Sequence, residues 1–150
     1  MKPDVEILNL NEIDKMFDEL LLTSKEGASI KRATMKDSLK PIVKDAKNNL
    51  RSSGHNKTGN LLKSLGVIAK VRDNTAYAAT GARKGPGKGN HFHLINSGTK
   101  VRTTATGANR GSVKGSKFFD SAVTSNMSNI PKELQEAFDR RMKIFMDKKY

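Results

Sequence analysis

The feature that most restricts the fold of this chain is a long central stretch without a carboxylate. No Asp or Glu lies between Asp73 and Asp120. The basic residues of this stretch are Arg83, Lys84, Lys88, Lys100, Arg102, Arg110, Lys114 and Lys117. Because an unpaired charge is very costly to bury, we expect them on the surface. DNA or another polyanion, or an acidic protein surface, would attract them, and a solvated basic loop is the simplest alternative.

The rest of the net charge of +13 is also unevenly placed. Residues 1–29 hold three basic and seven acidic side chains, whereas residues 30–73 hold eleven and three, and residues 120–150 are near balance. A chain with this pattern favours association with anionic partners through its middle.

Composition bounds the class of protein. The 150 residues suffice for one domain with a real core, although only 35% are hydrophobic. The absence of Cys excludes a disulfide framework, a thiolate metal site and a cysteine nucleophile. No apolar run approaches the length of a membrane span, and the N-terminus lacks the pattern of a signal peptide. We therefore expect a soluble protein with no membrane contact.

Apolar residues spaced by three and four predict helices in the N-terminal third. Residues 11–23 form one amphipathic pattern, which Gly27 should end. Residues 29–52 form a longer pattern, and Pro41 should kink or split that helix near Lys40. A short capped helix is expected from Thr58 to Leu65.

Helical patterns return in the C-terminal part. Residues 118–123 have helical character, and a last helix over 129–150 carries Pro131 in its first turn. Its apolar stripe consists of Ile130, Leu134, Ala137, Phe138, Met142 and Phe145.

The middle of the chain has the alternation of β-strands. In residues 66–72, Val67, Ala69 and Val71 alternate with Ile68, Lys70 and Arg72, as in a strand with one buried face. A turn at Asp73-Asn74 leads into a second predicted strand over residues 75–80, and together the two strands predict a hairpin. We also predict a third strand over 91–96. The Gly-rich segments 81–90 and 100–117 are predicted to be flexible loops, the second of which orders on binding.

These elements indicate an α+β fold, with a small antiparallel β-sheet packed by a long N-terminal helix and a C-terminal helix, and with long basic loops. We predict a single domain over residues 1–150. Its parts are an N-terminal helical arm (1–28), a core with the basic loops (29–128) and a C-terminal helix (129–150).

Residues that could perform chemistry are scarce. On a strand, His91 and His93 would point to the same side, a spacing that can hold zinc, but a structural or interface pair is the simpler interpretation. No phosphate-binding loop, no G-x-S-x-G elbow and no central pair of carboxylates is present. We expect no metal site, no cofactor and no enzymatic activity.

Three stretches in a fixed order carry a resemblance to a known family. They are Thr58-Gly59-Asn60-Leu61-Leu62-Lys63-Ser64-Leu65, His91-Phe92-His93-Leu94-Ile95-Asn96-Ser97-Gly98-Thr99, and Phe118-Phe119-Asp120-Ser121-Ala122-Val123. They resemble the neck and tail-completion (head–tail joining) family of long-tailed bacteriophages, whose pattern is T-G-x-L-x-x-S, then H-L-x-E-x-G-T, then P-F-hydrophobic-x-x-A. The resemblance covers roughly residues 30–125.

The resemblance implies a structural, non-catalytic role. A member of this family is expected to form a homo-oligomeric ring in the virion neck, assembled in the cytoplasm of the bacterial host. Its expected partners are copies of itself, the head-connector or head-completion protein, the tail terminator or tail tube protein, and packaged double-stranded DNA. The matched positions with an implied structural or interface role are Thr58, Gly59, Leu61, Ser64, His93, Leu94, Asn96, Gly98, Thr99, Phe118, Phe119 and Ala122, of which we expect Leu61 and Leu94 to be buried.

Two positions depart from the family pattern. Asn96 stands where the family usually carries Glu, so a salt bridge of that Glu is not expected here. Ser116-Lys117 replaces the Pro before the aromatic pair, which predicts a looser entry into the following helix.

Two other hypotheses are compatible with the residues. One is a non-specific basic DNA-binding protein, which the charge alone favours. The other is a ribonuclease that uses His91 or His93.

Overall fold

The computed structural model describes Lys15, residues 24–73 and residues 75–150. The helix predicted over residues 11–23 lies outside the described residues, apart from Lys15. The elements in chain order are α1 (Ser24–Ser38), α2 (Lys40–Ser52), α3 (Asn60–Ser64), β1 (Leu65–Arg72), β2 (Thr75–Ala82), α4 (Phe92–Ser97), α5 (Phe118–Asn126), a 3-10 turn (Met127–Asn129) and α6 (Ile130–Lys149).

The predicted break near Lys40 is confirmed. The chain leaves α1 at Ser38, and α2 begins at Lys40 with Pro41 in its first turn. Pro41 is tolerated there because the first N–H groups of a helix have no partner within the helix. The prediction that Gly27 ends a helix is wrong, since Gly27 is buried inside α1. A helical glycine costs only about 1 kcal/mol relative to alanine, which packing can offset.

The chain divides into two compact units. Among the described residues, the first unit comprises Lys15 and residues 24–39, 68–73, 75–79 and 127–150, and the second comprises residues 40–67 and 80–126. Each unit has its own core, described separately below.

The core of the first unit lies where α1 packs against α6 and the end of the hairpin. Its buried residues are Ile30, Met35, Ala76, Leu134 and Phe138, with Ala69, Val71, Ala78, Met142 and Phe145 packed around them. The predicted apolar stripe of the last helix is confirmed, because its apolar residues are buried or packed against this core. Arg141 on α6 also donates from Nε to Oδ2 of Asp37 on α1, at 2.7 Å.

The predicted hairpin is confirmed, and β1 and β2 form a two-stranded antiparallel sheet. Leu65 and Val67 are buried while Ile68, Lys70 and Arg72 are exposed, as a strand with one dry face requires. Asp73 adopts a left-handed φ of 50° in the turn.

The core of the second unit is formed by α2 against α5. Its most buried apolar residues include Ile42, Ala46, Leu50, Phe118 and Ala122. Two side chains also connect these helices. Asn49 Nδ2 donates to the Phe118 carbonyl at 3.0 Å, and Asn126 Nδ2 donates to Asp45 Oδ2 at 2.7 Å.

The third strand predicted over residues 91–96 is wrong, because the segment forms the short helix α4. A short apolar run does not distinguish a strand from a buried helix by periodicity. Here tertiary contacts decide, since the helix places Phe92 against the rings of Phe118 and Phe119 and directs Asn96 to the start of α5.

The α+β fold class is confirmed, with a two-stranded sheet and long helices near both ends of the described chain. Among the helices that the structure describes, none is long and apolar enough to cross a membrane.

Candidate interaction surface

The second unit is strongly basic. Residues 40–67 and 80–126 carry 14 Lys and Arg against two Asp, a net of +12. All eight basic residues of the carboxylate-free stretch are exposed. In the part of the chain that the structure describes, only Lys117 of these eight forms an ion pair, with Asp120 at 3.7 Å.

Lys84 and Lys88 lie on a compact loop, residues 83–91, which we call the basic loop. Asn90 closes it from within, because Asn90 Oδ1 accepts from the Gly85 N–H at 2.9 Å and Asn90 Nδ2 donates to the Gly85 carbonyl at 3.2 Å. At its ends, the Arg83 N–H donates to the Ser64 carbonyl at 3.0 Å and the Gly89 N–H to the Arg83 carbonyl at 2.9 Å. The loop thus has a defined shape, although its glycines predict a flexible one.

The segment from Gly98 to Lys114 folds back on itself as an irregular two-stranded ribbon, which we call the basic arm. Isolated antiparallel bridges pair Gly98 with Lys114 and Thr103 with Asn109. At the base, the Thr99 N–H donates to the Val113 carbonyl at 2.9 Å, and the Val113 N–H donates to Thr99 Oγ1 at 2.8 Å. The arm carries Lys100, Arg102, Arg110 and Lys114.

The tip of the arm is held by its own polar groups. Thr104 Oγ1 accepts from the Ala108 N–H at 3.0 Å, and the Thr104 and Thr106 hydroxyls are 2.8 Å apart. Asn109 Oδ1 accepts from the Gly111 N–H at 2.7 Å. The aperiodic sequence predicts only a loop here. The ribbon was not predictable from a strand pattern, because its tip is held by hydrogen bonds of individual Thr and Asn side chains.

The basic loop and the basic arm leave opposite ends of one short helix. The loop precedes α4 and the arm follows it, and a six-residue helix is about 9 Å long. The roots of the two basic segments are therefore close together.

An aromatic cluster joins α4 to α5. The Phe92 ring meets those of Phe118 and Phe119 edge to face, with centroids 5.5 and 5.1 Å apart. Such pairs add about 0.5–1.5 kcal/mol each beyond the area that they bury. Ala122 lies one turn further along α5 and is fully buried.

Asn96 connects the same two helices through hydrogen bonds. Its Oδ1 accepts from the backbone N–H of Phe119 at 3.0 Å and of Asp120 at 3.4 Å, while its Nδ2 donates to Asp120 Oδ1 at 3.0 Å. It therefore satisfies free N–H groups in the first turn of α5 from outside the helix. An amide can both accept and donate, and this pairing uses both; a carboxylate at the same place would face Asp120 without a donor.

The entry into α5 is firmly bonded, contrary to the looser entry predicted from the missing proline. The Ser116 N–H and hydroxyl both donate to the Ile95 carbonyl, at 2.9 and 3.0 Å, and the Lys117 N–H donates to the Asn96 carbonyl at 2.9 Å. Lys117 also has a φ of 53°, which proline cannot adopt.

The stretch from Thr58 to Leu65 supports the basic loop. The helix is shorter than predicted, because Gly59 with φ 71° stands at the cap position of α3 and Thr58 Oγ1 accepts from the Asn60 N–H at 3.4 Å. Leu61 and Ser64 are buried. Gly89 of the basic loop packs so closely against both side chains that a Cβ at Gly89 would collide with them.

The remaining predicted site residues are less enclosed. Leu94 is only half-buried, so its predicted burial is wrong, whereas that of Leu61 is confirmed. His93 is exposed and His91 is half-buried. His91 precedes α4 and His93 lies within it, so the strand on which the two histidines were predicted to share a side is not formed. Among the described residues, no group of three or more His, Cys, Asp or Glu is placed to hold a metal ion.

Gly98 provides a test of how the arm is anchored. It has a φ of 84°, and a Cβ would lie 2.6 Å from the Gly115 nitrogen and 2.7 Å from the Val113 carbonyl oxygen. We expect Gly98→Ala to lower the free energy of unfolding by at least about 2 kcal/mol more than Gly107→Ala. Gly107 has a φ of 83° with nothing within 4 Å, so its variant reports backbone strain alone. Equal losses for the two variants in denaturant titrations would contradict the tight packing at Gly98.

No protein-family model, no curated protein and no solved structure matches this chain. The fold and surface define a basic α+β protein with exposed basic residues on a closed loop and on a ribbon, among others.

Proposed function

We propose that this protein is a structural component of the neck of a long-tailed bacteriophage. In this proposal it forms a homo-oligomeric ring that joins the DNA-filled head, through the head-connector or head-completion protein, to the tail terminator or tail tube protein. The ring surrounds the path of packaged double-stranded DNA, is assembled in the cytoplasm of the bacterial host and performs no catalysis.

The observation that carries the proposal is the convergence of the three family-like stretches in one unit. The first supports the basic loop through Gly89, and the second and third meet at Asn96 and at the Phe92 cluster. Together they hold the roots of both basic segments. Residues shared in order with a family of ring-forming proteins thus have a local role here, which is to present an exposed basic surface.

Ring formation would increase the affinity of this surface for an anionic partner. Each subunit presents the same basic loop and arm, so a closed ring repeats them symmetrically and multiplies the attraction for an acidic partner ring or for DNA. Since the loop is already closed by Asn90, docking loses less conformational entropy than it would with a disordered loop.

The proposal is tested by complementing particles that lack this chain. Electron microscopy should show separate filled heads and tails, and the purified parent protein should restore joined virions. We expect Lys84→Glu combined with Lys88→Glu to restore at least tenfold fewer joined particles with unchanged thermal melting, because both lysines are exposed.

Arg140→Glu combined with Lys143→Glu is the matched control, since it reverses two exposed charges on α6 of the first unit. This variant should restore joining. Joined virions in the absence of the chain would refute the proposal, and a loss of melting temperature that parallels the loss of joining would make Lys84 and Lys88 structural.

The net charge of +12 on the second unit favours one alternative, a non-specific DNA-binding protein. That alternative predicts a protein that binds duplex DNA, does not oligomerise on size-exclusion chromatography and has no affinity for head or tail components.

A further inference from the structure

We infer that the basic arm binds the phosphates of double-stranded DNA, with Arg102 and Arg110 as its central contacts. This inference deepens the proposed function, and it rests on that function for the place where DNA is met. It gives the two basic segments different ligands: DNA binds to the basic arm, and a protein partner binds to the basic loop.

The side chains of the arm suit phosphate better than protein. Residues 98–114 contain no aromatic residue and no carboxylate, and their largest exposed apolar side chain is Val101, 61% exposed. Protein interfaces are anchored by buried aromatic and apolar groups, which the arm cannot supply. Phosphates are bound by Lys and Arg together with Ser, Thr and Asn. The arm also has hydroxyl and amide side chains of this kind, at Thr99, Thr103, Thr104, Thr106, Asn109 and Ser112.

The backbone pairing brings two arginines together in the arm. The Arg110 N–H donates to the Arg102 carbonyl at 2.6 Å, next to the bridge between Thr103 and Asn109, and the Arg102 N–H donates to the Gly111 carbonyl at 3.0 Å. Arg102 is therefore paired with both Arg110 and Gly111, as in a β-bulge. Neither arginine has an ion-pair partner among the residues described.

Like charges on paired residues of a ribbon repel each other. An anion bound between Arg102 and Arg110 removes that repulsion, so the pair is suited to a ligand that brings several phosphates at a regular spacing. A two-stranded ribbon also fits the major groove of B-form DNA, which is about 12 Å wide. A single strand is a poorer ligand, because binding to single strands relies on aromatic stacking.

The test measures binding of the full-length protein to a short fluorescent duplex as salt rises from about 50 to about 200 mM. We expect Arg102→Gln combined with Arg110→Gln to reduce the slope of log affinity against log salt by about two, since each lost phosphate contact removes about one. We also expect affinity at the lower salt to fall at least tenfold. Both arginines are exposed and their mutual repulsion is removed, so thermal melting should not fall.

Arg140→Gln combined with Lys143→Gln is the matched control, because it removes the same charge from α6, and its slope should equal that of the parent. A single strand of the same length should bind more weakly than the duplex. A parent that does not bind duplex, or an arm variant with the parent slope, would overturn the inference.

The joining assay separates this inference from the proposed function. An arm variant that binds duplex like the parent but fails to join heads to tails would assign the arm to a protein partner, which refutes the inference and leaves the neck function standing. An arm variant that loses duplex binding in particles that still join would support the inference alone.

Discussion

Leu61→Asp is expected to prevent stable folding of the second unit. Leu61 is 2% exposed and lies beneath Gly89 of the basic loop. Truncation of a buried leucine alone costs about 2–5 kcal/mol, and burial of an unpaired carboxylate adds a further penalty. The two losses together should therefore be comparable to the whole free energy of unfolding of a typical domain, which is about 5–15 kcal/mol. Circular dichroism during denaturant titration measures it.

A graded series makes this result specific to burial. Leu94→Asp, at a half-buried position, should have an intermediate effect, and Ile68→Asp, at a position 52% exposed, should have the smallest. A Leu61→Asp protein that is soluble and unfolds at the parent denaturant concentration would show that Leu61 is not part of the core.

Phe118→Ala is expected to lower the free energy of unfolding by about 3–5 kcal/mol. The Phe118 ring is 1% exposed, contacts both Phe92 and Phe119, and lies on the helix that packs against α2. Its removal leaves a cavity at the point where α4, α5 and the base of the arm meet.

The control for Phe118 is Tyr150→Ala, because Tyr150 is aromatic but 91% exposed and should change stability little. Thermal melting of the two variants should differ clearly. If Phe118→Ala melted like Tyr150→Ala, the aromatic cluster would not be the link between the second and third family-like stretches.

Elements governed by local patterns were predictable. The hairpin followed from the alternation in residues 67–72 and the turn at Asp73, and the break before α2 followed from Pro41, because proline acts on its own backbone whatever surrounds it. The stripe of α6 also followed from spacing alone, since a helix must bury one face.

The errors lie where side-chain contacts, rather than local backbone preferences, decide the structure. The segment at residues 91–96 became α4 because Phe92 and Asn96 find partners in α5, more than twenty residues away. The closed shape of the basic loop depends on Asn90, an ordinary turn residue whose side chain replaces a backbone partner. The Asn within this Gly-rich loop could have indicated a closed loop, but the spacing of residues does not identify the backbone group that it binds.

The amino-acid sequence by itself determined the charge of this protein, its α+β class and the order of most helices and strands, because charge is additive and local backbone preferences act over a few residues. Only the tertiary structure decided that Gly89 packs on Leu61 and that Asn96 caps α5. Those relations depend on contacts between residues far apart in the chain, and such contacts exist only once the backbone has folded and buried polar groups have found their hydrogen-bond partners.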